Sequence, residues 1–104
     1  MPLYLVYCID KPGAGALRQK VRDEHMAYLA SRKEIVLAGA KLSDDGQTAG
    51  GSAFIVNVPD RKGAETFSAG DPFTKNGLFD SVTITRVRKG HWHPERADSV
   101  PDGT

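Results

Sequence analysis

Residues 3–9, Leu-Tyr-Leu-Val-Tyr-Cys-Ile, form a β-rich run that is apolar on both faces. Leu3, Leu5, Tyr7 and Ile9 fall on one side of the predicted strand, and Tyr4, Val6 and Cys8 on the other. A strand of this kind must be covered twice. A chain of 104 residues has room for one domain. Such a domain buries only about two-thirds of the surface that its unfolded chain exposes. Where the second cover comes from is therefore the question the rest of the sequence has to answer.

After the stop at Asp10-Lys11-Pro12-Gly13, residues 14–33 read as an amphipathic helix. Leu17, Val21, His25, Tyr28, Leu29 and Arg32 share one face, so a histidine interrupts the apolar stripe. Residues 35–42 are a second strand, and Ser43 to Gly51, with Asp44-Asp45-Gly46, reads as a hairpin connection. A third strand covers 52–58. Asp60 is the expected N-cap of a helix over 61–69. A turn-rich loop over 70–79 then carries three large apolar residues, Phe73, Leu78 and Phe79, and a fourth strand covers 81–89. Residues 1–90 are expected to form the domain, and 91–104 a polar tail. The order βαββαβ predicts an α+β, ferredoxin-like fold, with both helices on one face of a four-stranded antiparallel sheet. No third helix remains for the open face. A second copy of the chain is the simplest cover, which predicts a homodimer through the sheets.

Charge and cysteine content narrow the function classes. Fourteen Lys and Arg against thirteen Asp and Glu leave a net charge of +1, which argues against a nucleic-acid binder. The single cysteine, Cys8, cannot form an internal disulfide and fits a reducing compartment. No apolar run approaches the ~20 residues of a membrane helix. The apolar start has no basic flank or small-residue cleavage site, so a cytoplasmic protein with no membrane partner is expected.

Few residues are placed to carry chemistry. His25, in the apolar stripe with Arg22 one turn before it, fits a core histidine bonded to a backbone carbonyl. It also fits a general acid or base held by a carboxylate. Asp71-Pro72 has the pattern of a helix N-cap followed by proline. The apolar residues that follow should bury this loop, and they would bring the carboxylate inward toward His25. Arg22 reads either as a solvated helix residue pairing with Asp23 or Glu34, or as a contact for a substrate carboxylate or phenolate. Tyr7 and Phe73 are the remaining candidate substrate contacts. Cys8 is expected to be an inert buried thiol. His91 and His93 have the i, i+2 spacing of a chelating pair but lack further ligands nearby, so no metal site is expected.

The segments Arg22-Asp-Glu-His25-Met-Ala-Tyr28-Leu29, Leu37-Ala-Gly39, Gly51, Asp71-Pro72-Phe73 and Gly77-Leu78-Phe79 resemble the YciI-like (YCII-related) family of the dimeric α/β-barrel superfamily. The resemblance spans about residues 1–90 and implies a cleft between helix and sheet. His25 and Asp71 match the family's proposed catalytic pair. Chemistry known in the family includes dehydrochlorination of a chlorinated hydroxyhydroquinone, and the related muconolactone isomerases move protons on ring-derived acids. By this resemblance the chain is expected to act without a cofactor on a small ring-derived compound, by elimination or isomerisation. A cofactor-free monooxygenase and a non-catalytic small-molecule binding module are the alternatives. One departure concerns Ala40, which follows Gly39 where the family often has proline, and it bears on the local turn.

Overall fold

The computed structural model describes residues 1–103. Its elements are β1 (Leu3–Asp10), α1 (Gly15–Ser31), β2 (Ile35–Leu42), β3 (Ala49–Asn57), α2 (Arg61–Gly70), α3 (Pro72–Lys75) and β4 (Phe79–Val87). The sheet order is β2-β3-β1-β4, and every neighbouring pair is antiparallel. Each long helix thus crosses one strand: α1 links β1 to β2 past β3, and α2 links β3 to β4 past β1. This is the expected α+β, ferredoxin-like arrangement. The third strand begins three residues earlier than periodicity suggested, because small residues at Ala49, Gly50 and Gly51 extend the ladder without adding an apolar signal.

Beneath the helices, Tyr4 lies opposite Val56, Val6 opposite Phe54 and Cys8 opposite Ser52. With Val58, Ala64 and Phe67, these residues form a core cluster that excludes water. The Phe67 ring meets Phe54 edge-on at 5.2 Å, a favourable aromatic geometry. Asp60 caps α2 as expected, its side chain accepting from the Gly63 N–H at 2.9 Å. At Gly51 an added Cβ would stand 2.1 Å from the Cys8 carbonyl oxygen, so only glycine lets β1 and β3 approach there.

The loop predicted over 70–79 contains a one-turn helix, α3. Asp71 caps it, and the turn at Gly77, with φ of +71°, redirects the chain so that Leu78 enters the interior. Val21, Phe73 and Leu78 make a second, smaller core beneath α1. On the opposite face of the sheet Leu3, Leu5 and Tyr7 are only half-buried, while Ile9 and Leu37 are 40% and 64% exposed. Nothing within the described residues covers this face. Beyond β4 the described tail is exposed and holds only a 3-10 turn at Pro94–Ala97. No helix among the described residues is long and apolar enough to cross a membrane.

Candidate active site

The two long helices meet the sheet differently. α2 packs directly on β1 and β4, whereas α1 leans on α3 and stands off the strands beside it. The gap between α1 and the strands β2 and β3 is a cavity of about 230 Å³. Its α1 wall carries Arg18, Arg22, His25, Met26 and Leu29, and its floor is Ala38, Ala40, Ser52 and Phe54, with Phe73 entering from α3. At ~100° per residue, these helix positions lie to one side of the Leu17-Val21-Tyr28 stripe that faces the core. His25 sits where the two stripes join.

His25 is 6% exposed and Asp71 1%. The His25 Nδ1–H donates to Asp71 Oδ1 at 2.7 Å, and the Phe73 backbone N–H donates to the same oxygen at 3.0 Å. One carboxylate therefore caps α3 and holds the imidazole, so both readings of Asp71 hold at once. With Nδ1 engaged, Nε2 is the ring nitrogen left for the cavity. The Phe73 ring stacks on the imidazole, with centroids 3.8 Å apart and planes within 12°. Phe79 braces Phe73 edge-on at 6.0 Å. Asp71 Oδ2 is buried without a hydrogen-bond partner among the described residues, a cost of about 1–3 kcal/mol.

A second acid–base pair lies at the other end of the cavity. Arg18 donates from Nε to Asp10 Oδ2 at 2.7 Å and from Nη2 to Asp10 Oδ1 at 3.0 Å. Nη2 also donates to the Gly51 carbonyl at 2.8 Å and lies 3.4 Å from Ser52 Oγ. The guanidinium sits 4.7 Å from the centre of the Phe73 ring. Arg22 lines the cavity too, but its nearest acid is the fully exposed Asp23 at 4.0 Å, a contact of little energetic weight. Glu34 pairs instead with Arg32 at 3.8 Å.

Of the candidate substrate contacts, Arg22 and Phe73 reach the cavity with His25. Tyr7 does not. The alternation that sends Val6 and Cys8 under the helices turns Tyr7 to the open face of the sheet, away from His25. Arg18 and Ser52 were missed. Arg18 had a legible signal, standing four residues before Arg22 and seven before His25, and so on the same side of α1. Ala40 disturbs no turn, since β2 runs unbroken through it and pairs it with Ser52. Cys8 is buried, and desolvation, reinforced by the charges of Asp71 and Asp10 and opposed by Arg18, pushes its thiol up to about 12. His91 and His93 lie beyond the end of β4 rather than on a strand. Their rings stand 6.3 Å apart, and no cluster of three metal-ligating side chains occurs among the described residues.

Fold and cavity together define a small ferredoxin-like domain in which a histidine held by a buried carboxylate lines a pocket. The chain belongs to the YCII-related domain family, whose sequence model matches residues 2–88. Among solved structures it is similar to 5-chloro-2-hydroxyhydroquinone dehydrochlorinase from Burkholderia phenoliruptrix AC1100, in complex with 2,5-dihydroxybenzoquinone. That match has 32% identity and a TM-score of 0.78, and covers 85% of this chain and 95% of that one. An antibiotic biosynthesis monooxygenase shares the fold at 17% identity and a TM-score of 0.53, covering 85% and 97% of the two chains. Rv0793 from Mycobacterium tuberculosis shares it at 13% identity and a TM-score of 0.50, over 85% and 94%. No curated protein sequence matches the chain.

Proposed function

We propose that the protein is a small-molecule enzyme in which His25, oriented by Asp71, moves protons on a small ring-derived compound during elimination or isomerisation. The observation that carries this reading is the 2.7 Å bond from His25 Nδ1 to Asp71, which fixes the tautomer and leaves Nε2 to a cavity of about 230 Å³. That volume suits a compound of one ring. The unpaired Oδ2 of Asp71 adds support, because a buried carboxylate left partly unsatisfied contributes less to stability than to positioning the imidazole. Arg22 is a contact for an anionic substituent, such as a carboxylate, at the cavity wall.

The dehydrochlorinase at 32% identity suggests the reaction to test first. When a chlorinated hydroxyhydroquinone loses HCl, chloride departs with the C–Cl electron pair. One hydroxyl proton ends on the carbon that held the chlorine, another leaves with the base, and two C–O bonds become carbonyls. His25 can serve both proton movements by accepting from oxygen and returning to carbon, and this chemistry calls on no metal or organic cofactor. Chloride release from 5-chloro-2-hydroxyhydroquinone by the wild-type protein, lost in His25→Ala, is the expected result. Undiminished release in that variant would reject the role. Oxygen uptake with the same compound would instead favour the monooxygenase alternative, and binding without turnover the accessory module.

The working unit is a homodimer. Leu3, Leu5, Tyr7, Ile9 and Leu37 present an apolar sheet face with nothing over it, and a second copy is its natural cover. Sedimentation as a monomer at micromolar concentration would overturn this assembly.

A further inference from the structure

The acid–base pair at the far end of the cavity serves no part of the proton transfer just described, yet it is more heavily bonded than the His25–Asp71 pair. The side chains of Arg18 and Asp10 are 13% and 8% exposed. Nε and both hydrogens of Nη2 are engaged by Asp10 and the Gly51 carbonyl, which locks the guanidinium plane. Nη1 makes no hydrogen bond among the described residues and is not sealed from solvent. Two N–H donors of a rigid fork are thus left over on a residue that lines the cavity. Ordinary structural arginines spend these donors on protein or reach into bulk water. This one is pinned over Phe73, the ring that also backs His25.

The electrostatics of the wall point the same way. Among the described residues the cavity is lined by Arg18 and Arg22 and by no carboxylate, since Asp10 and Asp71 lie behind the arginine and the histidine that they hold. Arg18 and His25 are seven residues apart, which is two turns or about 10 Å along the helix axis. A six-membered ring with an oxygen at each end and a hydrogen bond beyond each oxygen matches that spacing. The faces between them are apolar, from Leu29, Phe54 and Phe73.

We propose that Arg18 is the subsite for an ionised ring oxygen, its Nη1 edge holding a phenolate or enolate while the opposite end of the same ring meets His25. The substrate class follows: single-ring compounds that carry an anionic oxygen across the ring from the proton removed. Pairing with Asp10 lowers the net charge of the guanidinium, so the subsite selects by direction and position rather than by attraction alone. Arg18 thus fixes the anionic end of the ring in place while His25 takes a proton at the other end.

This inference rests on the proposed role of His25, and the test separates the two. Calorimetric titration uses 2,5-dihydroxybenzoquinone, which is anionic at neutral pH, beside uncharged hydroquinone. The Asp10→Asn/Arg18→Gln double variant removes both charges of the pair while retaining a hydrogen-bonding couple. Its affinity for the anion should fall by about tenfold or more, with hydroquinone affinity changed less than twofold. In the wild-type protein the Arg18 guanidinium resonances, identified by their loss in Arg18→Lys, should shift with the anion and stay with hydroquinone. This readout needs no folded double variant. Equal losses for both probes, an unchanged anion affinity, or guanidinium resonances indifferent to the anion would overturn the proposal. His25→Ala should still distinguish the two probes. Turnover surviving in that variant would reject the general base and leave the anion subsite standing.

Discussion

The two crossover helices of this fold face the same sheet, and they do opposite things with it. α2 lies flush on β1 and β4 because its core residues, Ala64 and Phe67, pack without a polar group that needs a partner in the gap. Ala64 is fully buried, Phe67 fills the space over Phe54, and a Cβ at Gly63 would press against Val58 at 3.0 Å. α1 turns Arg18, Arg22 and His25 toward the strands, and these long polar side chains hold it away. Each then requires a polar partner or water, which is why Asp10 and Asp71 sit behind the first and last of them. Tight contact at α2 supplies stability, and the stand-off at α1 supplies a cavity lined with donors and a base.

Substitutions on the two sides should therefore separate stability from activity. The largest expected effect is His25→Asn, which should cost about 10²–10⁴-fold in turnover, read as chloride release. The urea midpoint should fall only a little, because the amide keeps a donor toward the buried Asp71. Phe67→Ala should do the reverse. It should lower unfolding stability by about 3–5 kcal/mol in urea, while binding of 2,5-dihydroxybenzoquinone by the remaining folded protein stays within twofold. A matching loss of stability in both variants would dissolve the contrast.

Asp71→Asn sharpens it, because Asp71 belongs to both sides. Asparagine caps helices about as well as aspartate, so stability should fall by less than about 1 kcal/mol. Its amide oxygen can keep both bonds that Oδ1 accepts, but it lacks the charge that stabilises the imidazolium formed when His25 takes a proton. Turnover should then drop roughly ten- to a hundredfold, as for other carboxylates that orient an imidazole. The smallest effect concerns Cys8, which lies beneath both regions. Burial raises its thiol from 9.0 to about 12, so the folded state resists an ionisation that the unfolded chain accepts. Its contribution to stability is intact below pH 9 and is lost as pH rises from there toward about 12. A thiol reagent at pH 8 should label Cys8 only at the rate of unfolding.

How much of this was legible differs from residue to residue. The element order and the Asp60 cap follow from local composition and periodicity, which depend on neighbours in sequence. The His25–Asp71 couple was approached from both ends, through a histidine in an apolar stripe and an Asp-Pro cap in an oddly apolar loop. Tyr7 was placed in the site because β1 is apolar on both faces, and a period of two cannot say which face the helices cover. Arg18 was passed over for a related reason. The stripe through Leu17, Val21 and Tyr28 marks the core side of α1, and the cavity side lies about one residue, ~100°, around the helix.

By itself the sequence determined the α+β order of elements, the apolar character of both faces of β1, and which loop carries an inward carboxylate. Each is a statement about local preference or total apolar surface, and these survive without coordinates. Only the tertiary structure decided that α1 stands off the sheet, that Tyr7 turns away, and that Asp10 and Arg18 close one end of the cavity while Asp71 and His25 occupy the other. Those facts depend on how far apart two packed layers sit. That distance is set by the side chains of α1, β2, β3 and α3 together, so no single segment of the chain encodes it.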